Sequence, residues 1–213
     1  MSARAALLII DMQRDFCMAG GYADRAGLDI ARLAGPIAPI ARLATAFRAA
    51  GLPVIYTREG HRPDLADCAP AKQARARAAG APIGSRGPLG RALIRGEYGH
   101  DIVDDLAPHL DDIIVDKPGY SAFHATDLDH TLRALGIGRL VLSGVTTEVC
   151  VHSTLRSAID RGYDCVTVAD ATACDDPALH AAVLGLIANE CGIFGSVADT
   201  DTVCATVCAK VPA

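Results

Sequence analysis

The patterned part of the chain opens with AALLIID (Ala5 to Asp11), an unbroken apolar run closed by an acid. The same shape recurs at LPVIYT, DDIIVD, RLVLSGV, DCVTVAD and CGIFGSV. Apolar runs without alternation suit strands covered on both faces, as in a parallel sheet. Between them, apolar positions return at helical spacing over about Leu28 to Ala50, Thr126 to Leu135, Thr147 to Arg161 and Pro177 to Asn189. Strands alternating with helices predict βαβ units. The expected fold is therefore α/β: one doubly wound, Rossmann-like domain over 1–213, with helices on both faces of the sheet. Ligands of such sheets gather beyond the carboxyl ends of the strands. The rhythm breaks over 61–109, which holds PDLADCAP, AKQARARAAGAP and GSRGPLGRALIRGE. A connection that long in a compact domain is a lid, an interface arm or a disordered segment, and the first two are expected here.

Composition narrows the partner. The chain has 213 residues, 51% of them hydrophobic, with no tryptophan, so the core is aliphatic. A net charge of −5 argues against a nucleic acid and leaves a small molecule as the expected partner. No apolar run reaches membrane-spanning length, and Asp11 interrupts the first one before it resembles a signal peptide, which predicts a cytoplasmic protein with no membrane partner. The 8 cysteines are scattered and form no Cys-x-x-Cys pair, so most are expected to be small buried hydrophobes rather than disulfides.

Three polar residues stand at the ends of expected strands: Asp11, Lys117 and, just past LVLSG, Cys150. Singly they have ordinary readings as a turn cap, a surface charge and a core filler. In a parallel sheet, however, all three project from one edge. Cys150 then falls in the first turn of a helix, where unpaired N–H groups and the helix dipole favour a thiolate, as would a nearby lysine. Asp11 suits proton transfer, because its own charge opposes thiol ionisation. The N–H groups around Cys150 are placed to receive a developing oxyanion.

The stretches IIDMQRDF, VDKPGYSAF and GVTTEVCVHSTLRSAIDRGYDC resemble the isochorismatase-like cysteine hydrolases, over Ala6 to about Val197. YTREGHRPDLADCAPAK, GPLGRALIRGEYGHDIVDDLAP and GIFGSV are most similar to the biuret hydrolase and ureido-amide hydrolase branch. The resemblance implies a six-stranded, mostly parallel sheet and a homo-oligomer, commonly a tetramer. It implies an Asp11, Lys117, Cys150 catalytic triad. It also implies a cis Val145–Thr146 peptide that aims the Thr146 and Cys150 N–H groups at the oxyanion. The activity implied is cysteine-dependent hydrolysis of a C–N bond in a small ureido or carbamoyl compound such as biuret, with ammonia released and no cofactor. An N-carbamoyl acid or ureidoacrylate is the alternative substrate. Phe16, Glu59, Tyr120, Phe123 and Glu190 are the expected substrate-binding residues. Glu190 and Tyr120 stand where biuret hydrolases carry glutamine and lysine.

Glu59 and His61 echo the Asp-x-His metal pair of nicotinamidase-type relatives, but no histidine occurs between Arg62 and Gly99, so no metal site is expected. Three rivals are weaker. A dinucleotide-binding dehydrogenase needs Gly-x-Gly-x-x-Gly after its first strand, where this chain has IIDMQRDF. A thiol redox sensor has no need of Asp11 and Lys117. The vinyl-ether hydrolases of the same superfamily lack the cysteine.

Overall fold

In the computed structural model, which describes residues 4–209, the apolar runs assemble into one sheet. Its strands are β1 (Arg4–Ile10), β2 (Val54–Glu59), β5 (Ile113–Lys117), β6 (Ile137–Val145), β7 (Asp164–Ala173) and β8 (Ser196–Ala198); the two-residue β3 (Arg86–Gly87) and β4 (Gly90–Arg91) form a separate antiparallel hairpin. The order is β5-β2-β1-β6-β7-β8, and every pairing in it is parallel. From β1 the chain builds outward through β2 to β5, then returns to lay β6, β7 and β8 on the other side. The direction reverses between β1 and β6, and a crevice opens at such a switch point. Gly144, opposite Ile10 in this register, has a φ of 105°, and a β-carbon there would collide with the Ile10 carbonyl.

The helices are α1 (Arg14–Cys17), α2 (Tyr22–Arg25), α3 (Ile30–Ala34), α4 (Ile37–Ala49), α5 (Pro70–Ala78), α6 (Leu128–Ala134), α7 (His152–Ile159), α8 (Pro177–Gly192) and α9 (Thr200–Cys208). They cover both faces of the sheet. On β1, Leu7 and Ile9 join a core with Leu43 and Phe47 of α4 and Val203 of α9. Ala6, Leu8 and Ile10 point the other way, into a core with Leu132, Leu155 and Ile187 of α6, α7 and α8. Burial on both faces is why these strands read as continuous apolar runs.

Three expected elements differ in detail. The first long helix divides into α3 and α4 at Gly35 and Pro36, since proline brings no N–H to continue a helix. The helix expected from Thr147 begins as a π-helical turn, Thr147–Val151, before α7 takes over. Of CGIFGSV only Ser196 and Val197 enter the three-residue β8, because Glu190, Cys191, Gly192 and Gly195 hold φ values of 48°, 59°, 80° and 98°. Those left-handed positions make a turn and cannot extend a strand.

The segment 61–109 is folded against the sheet edge. Ion pairs of Asp101 with Arg58 at 2.9 Å and of Asp104 with Arg14 at 2.5 Å fasten its far end to β2 and α1. Its helix α5 forms a wall of the crevice described next.

Candidate active site

Asp11 closes β1 with a φ of 53°, an uncommon conformation for a residue with a side chain. Thr57 of β2 fixes the turn. Its hydroxyl donates to Asp11 Oδ1 at 2.7 Å, and its carbonyl accepts from the Asp11 N–H at 3.2 Å. Lys117, the last residue of β5, is fully buried and sets its ammonium 2.7 Å from Asp11 Oδ2, 3.4 Å from Glu59 Oε2 and 2.9 Å from the Gly119 carbonyl. The Cys150 thiol, in the π-helical turn after β6, donates to Glu59 Oε2 at 3.3 Å. Three residues spread from position 11 to position 150 thus share one cluster, with Glu59 as a fourth member.

Lys72 and Gln13, which the sequence patterns did not single out, complete it. Lys72 reaches from α5 to Glu59 Oε1 at 2.6 Å and to the Pro118 carbonyl at 2.7 Å. Gln13 holds the Glu59 backbone from both sides, accepting from its N–H at 2.7 Å and donating to its carbonyl at 3.0 Å. Lys72 lay within an Ala/Arg-rich stretch that reads as a solvated helix, so only the fold reveals that it turns inward. Two carboxylates and two ammonium groups balance, which makes such a dry cluster tolerable.

The electrostatics correct one expectation. Burial pushes the Cys150 thiol well above its ordinary pKa; Lys117 opposes this, while Asp11 and Glu59 add to it. A resting low-pKa thiolate is therefore not what this site holds. Burial likewise raises Asp11, against the pull of Lys117. Glu59 is lowered, because Lys117 and Lys72 together outweigh its burial. Lys117 is raised, its three anionic or ionisable neighbours Asp11, Cys150 and Glu59 outweighing its burial. The raised thiol keeps its proton on sulfur, beside a carboxylate whose own proton affinity burial has raised.

Above the cluster lies a cleft of about 330 Å³ lined by Phe16, Tyr22, Leu28, Glu59, Lys72, Arg75, Ile83, Tyr120, Thr146, Glu148 and Cys150, among others. The Val145–Thr146 peptide at its base is cis. Burial, with Glu59, Tyr120 and Cys150 adding to it, pushes the Tyr22 hydroxyl up to about 12, so it enters the cleft neutral.

Residues 5–201 match the isochorismatase domain family. This chain belongs to that family. It is 38% identical over 209 residues to a ureidoacrylate amidohydrolase of Serratia proteamaculans, covering 97% of this chain and 84% of the relative. Among solved structures, a cysteine hydrolase from Pseudomonas syringae pv. phaseolicola superposes with a TM-score of 0.82 at 30% identity, over 97% of this chain and 93% of the other. N-carbamoylsarcosine amidase from Thermoplasma acidophilum superposes with a TM-score of 0.71 at 27% identity, over 93% and 97%.

The remaining expected binding residues of this isochorismatase-family chain divide. Phe16 lines the cleft edge-on to Tyr22, with ring centroids 5.9 Å apart. Tyr120 lines it with its ring 5.0 Å from the Lys72 ammonium. Phe123 does not line it. It belongs to the core, stacked on Tyr163 at 5.9 Å, because its turn faces α6 and α7 rather than the crevice. Glu190 does not line it either. Helix α8 leaves the carboxyl edge of β7 and runs back, so its last turn lies at the opposite edge. There Glu190 is exposed between Ala188 and Cys191, which line a hollow with Asp164 and Ser196, the first residues of β7 and β8. Glu148 does line the cleft, and its Oε2 is buried without a hydrogen-bond partner.

A metal could be considered at Asp11, Glu59 and Cys150, whose donor atoms lie within 4.8 Å of one another. The donor set does not suit one. Lys117 already sits against Asp11 and Glu59, and a second cation there would be repelled at close range. His61 adds nothing to the set, since its Nδ1 faces Asp67 at 3.3 Å.

Proposed function

We infer that this chain is a cysteine amidohydrolase that cleaves a C–N bond of a small linear ureide, and that Cys150, Asp11 and Lys117 carry the reaction. The observation that supports this most is the thiol, the carboxylate and the ammonium gathered in one buried cluster at the floor of the cleft. Asp11 takes the thiol proton as sulfur attacks the substrate carbonyl. The cluster's net charge does not change, so the transfer needs little reorganisation in a dry site. Lys117 and Lys72 offset the charge that moves onto sulfur. The N–H groups of Thr146 and Cys150 receive the oxyanion. When the tetrahedral adduct collapses, the C–N bond breaks, Asp11 returns its proton to the departing nitrogen, and ammonia leaves. Water, deprotonated by Asp11, then cleaves the thioester-like intermediate.

A ureido group suits the polar wall. Its N–H donors can be met by the carboxylate of Glu148, a lining residue of the cleft. Biuret, the amidated reading of the same group, and a ureidoacrylate-like acid both fit this description. The homo-oligomer remains a proposal, supported by α8, where Leu179 and Leu186 stand 43% and 44% exposed. No helix among the described residues is long and apolar enough to cross a membrane.

The test is ammonia release from biuret, 3-ureidopropionate and N-carbamoyl amino acids, before and after exhaustive dialysis against a strong chelator. Release from at least one ureide, unchanged by the chelator, is expected. Silence on the whole panel would remove the hydrolase reading, and loss restored by zinc, manganese or iron would overturn the metal-free mechanism.

A further inference from the structure

The cleft wall formed by α5 carries two cations with different fates. Lys72 is bound to Glu59 at 2.6 Å and is buried. Arg75, one helical turn further on, also lines the cleft, but it is exposed and its guanidinium makes no salt bridge or hydrogen bond among the described residues. The apolar part of the cleft lining includes Leu28, Ala76, Ala79 and Ile83, which offer no charge to compete with Arg75.

Resting on the amidohydrolase reading, we propose that Arg75 reads the carboxylate of a ureido acid, so that the enzyme selects anionic ureides with a short apolar spacer over neutral ones such as biuret. Guanidinium is suited to the task because its planar fork meets both carboxylate oxygens at once. The acidic Glu148, which shares the π-helical turn of Cys150 and also lines the cleft, sharpens the orientation. It repels the carboxylate end and accepts from the N–H end, so a ureido acid enters with its carbonyl toward Cys150. The negative net charge of the chain, −5, makes a local cation the more necessary for an anionic substrate.

The experiment compares 3-ureidopropionate with its methyl ester, which keeps the ureido group and removes the charge. Turnover is measured in the parent, Arg75→Ala, Arg75→Lys and, as a control on the same helix, Arg77→Ala, which lies off the cleft. Binding of both compounds is measured by calorimetry on Cys150→Ala protein with and without Arg75→Ala. The acid-to-ester ratio of kcat/KM should fall roughly tenfold to a hundredfold in Arg75→Ala, mainly through KM, should recover in part in Arg75→Lys, and should be unchanged in Arg77→Ala. Calorimetry should report the same loss of preference for the acid. A ratio within twofold of the parent in Arg75→Ala, or equal weakening for acid and ester, overturns the assignment while leaving the hydrolase reading standing. If the parent turns over neither compound yet its Cys150→Ala form binds the acid through Arg75, the hydrolase reading fails and the assignment of Arg75 survives.

Discussion

Cys150→Ser is expected to lose ureide turnover by roughly 10³-fold or more while remaining folded. Serine is nearly isosteric, and its hydroxyl can donate to Glu59 Oε2 as the thiol does at 3.3 Å. Stability should therefore move by no more than ~1 kcal/mol, which is about 2–4 °C in Tm for a chain of this size. The chemistry should not survive, because a hydroxyl gives up its proton to a neighbouring carboxylate far less readily than a thiol does. What marks Cys150 is not an intrinsically acidic thiol. Burial pushes Cys17, Cys165 and Cys174 up to about 12, and raises Cys150 as well. The difference is company: Cys150 alone has the Asp11–Lys117 pair within its cluster. Alanine at Cys17, Cys165 or Cys174 should accordingly leave turnover largely intact. Ammonia release beside a thermal melt checks both halves, and a serine variant that keeps more than a few per cent of activity would exclude Cys150 as the nucleophile.

The parts of this molecule legible in the sequence are those that repeat or that end a strand. Uninterrupted apolar runs announced the parallel sheet, and the position of Asp11, Lys117 and Cys150 just past three of them announced a shared edge. Residues whose role depends on which way a helix turns were not legible. Lys72 and Arg75 sit in PAKQARARA, whose charges look like a solvated surface, and the burial of Lys72 follows from α5 docking on the crevice. Glu190 failed for the complementary reason. The apolar run around it reads as a strand, and a strand start near the site would have carried it inward; left-handed backbone at Glu190 and Cys191 instead ends α8 at the far edge. The thiolate argument failed because it counted the helix terminus and the lysine but not the burial of the sulfur, nor Glu59, whose carboxylate lies against it. Local patterns report period and chain reversal, whereas electrostatics depends on neighbours that only the tertiary fold supplies.

Lys117→Met should cost more stability than any other single change at the site, and in a pH-dependent way. The ammonium is fully buried 2.7 Å from Asp11 and 3.4 Å from Glu59. Methionine fills much of the volume but leaves two carboxylates facing each other in a dry pocket, with Lys72 holding only one of them. Breaking a buried pair by removing one partner costs about 3–5 kcal/mol. The sign of the pH effect follows from where each proton binds more tightly. In the parent, Glu59 is lowered, so its contribution is present above its ordinary 4.5 and fades as pH falls; Asp11 is raised, so its contribution runs the other way, fading as pH rises. The two slopes oppose each other. Without Lys117, both carboxyls lose their strongest stabilising charge and both are expected above their unfolded values. The folded variant then binds more protons than the unfolded chain, and its stability must fall as pH rises. Its Tm deficit relative to the parent should therefore be small near pH 5 and large near pH 8, with the limiting case a variant folded only at the acid end. Turnover should be lost by roughly a hundredfold or more even where the variant is folded, because the cation that offsets charge on sulfur is gone. Melts of both proteins across that range decide the matter: a deficit that does not grow with pH would mean that Lys117 is not what keeps Asp11 and Glu59 ionised together.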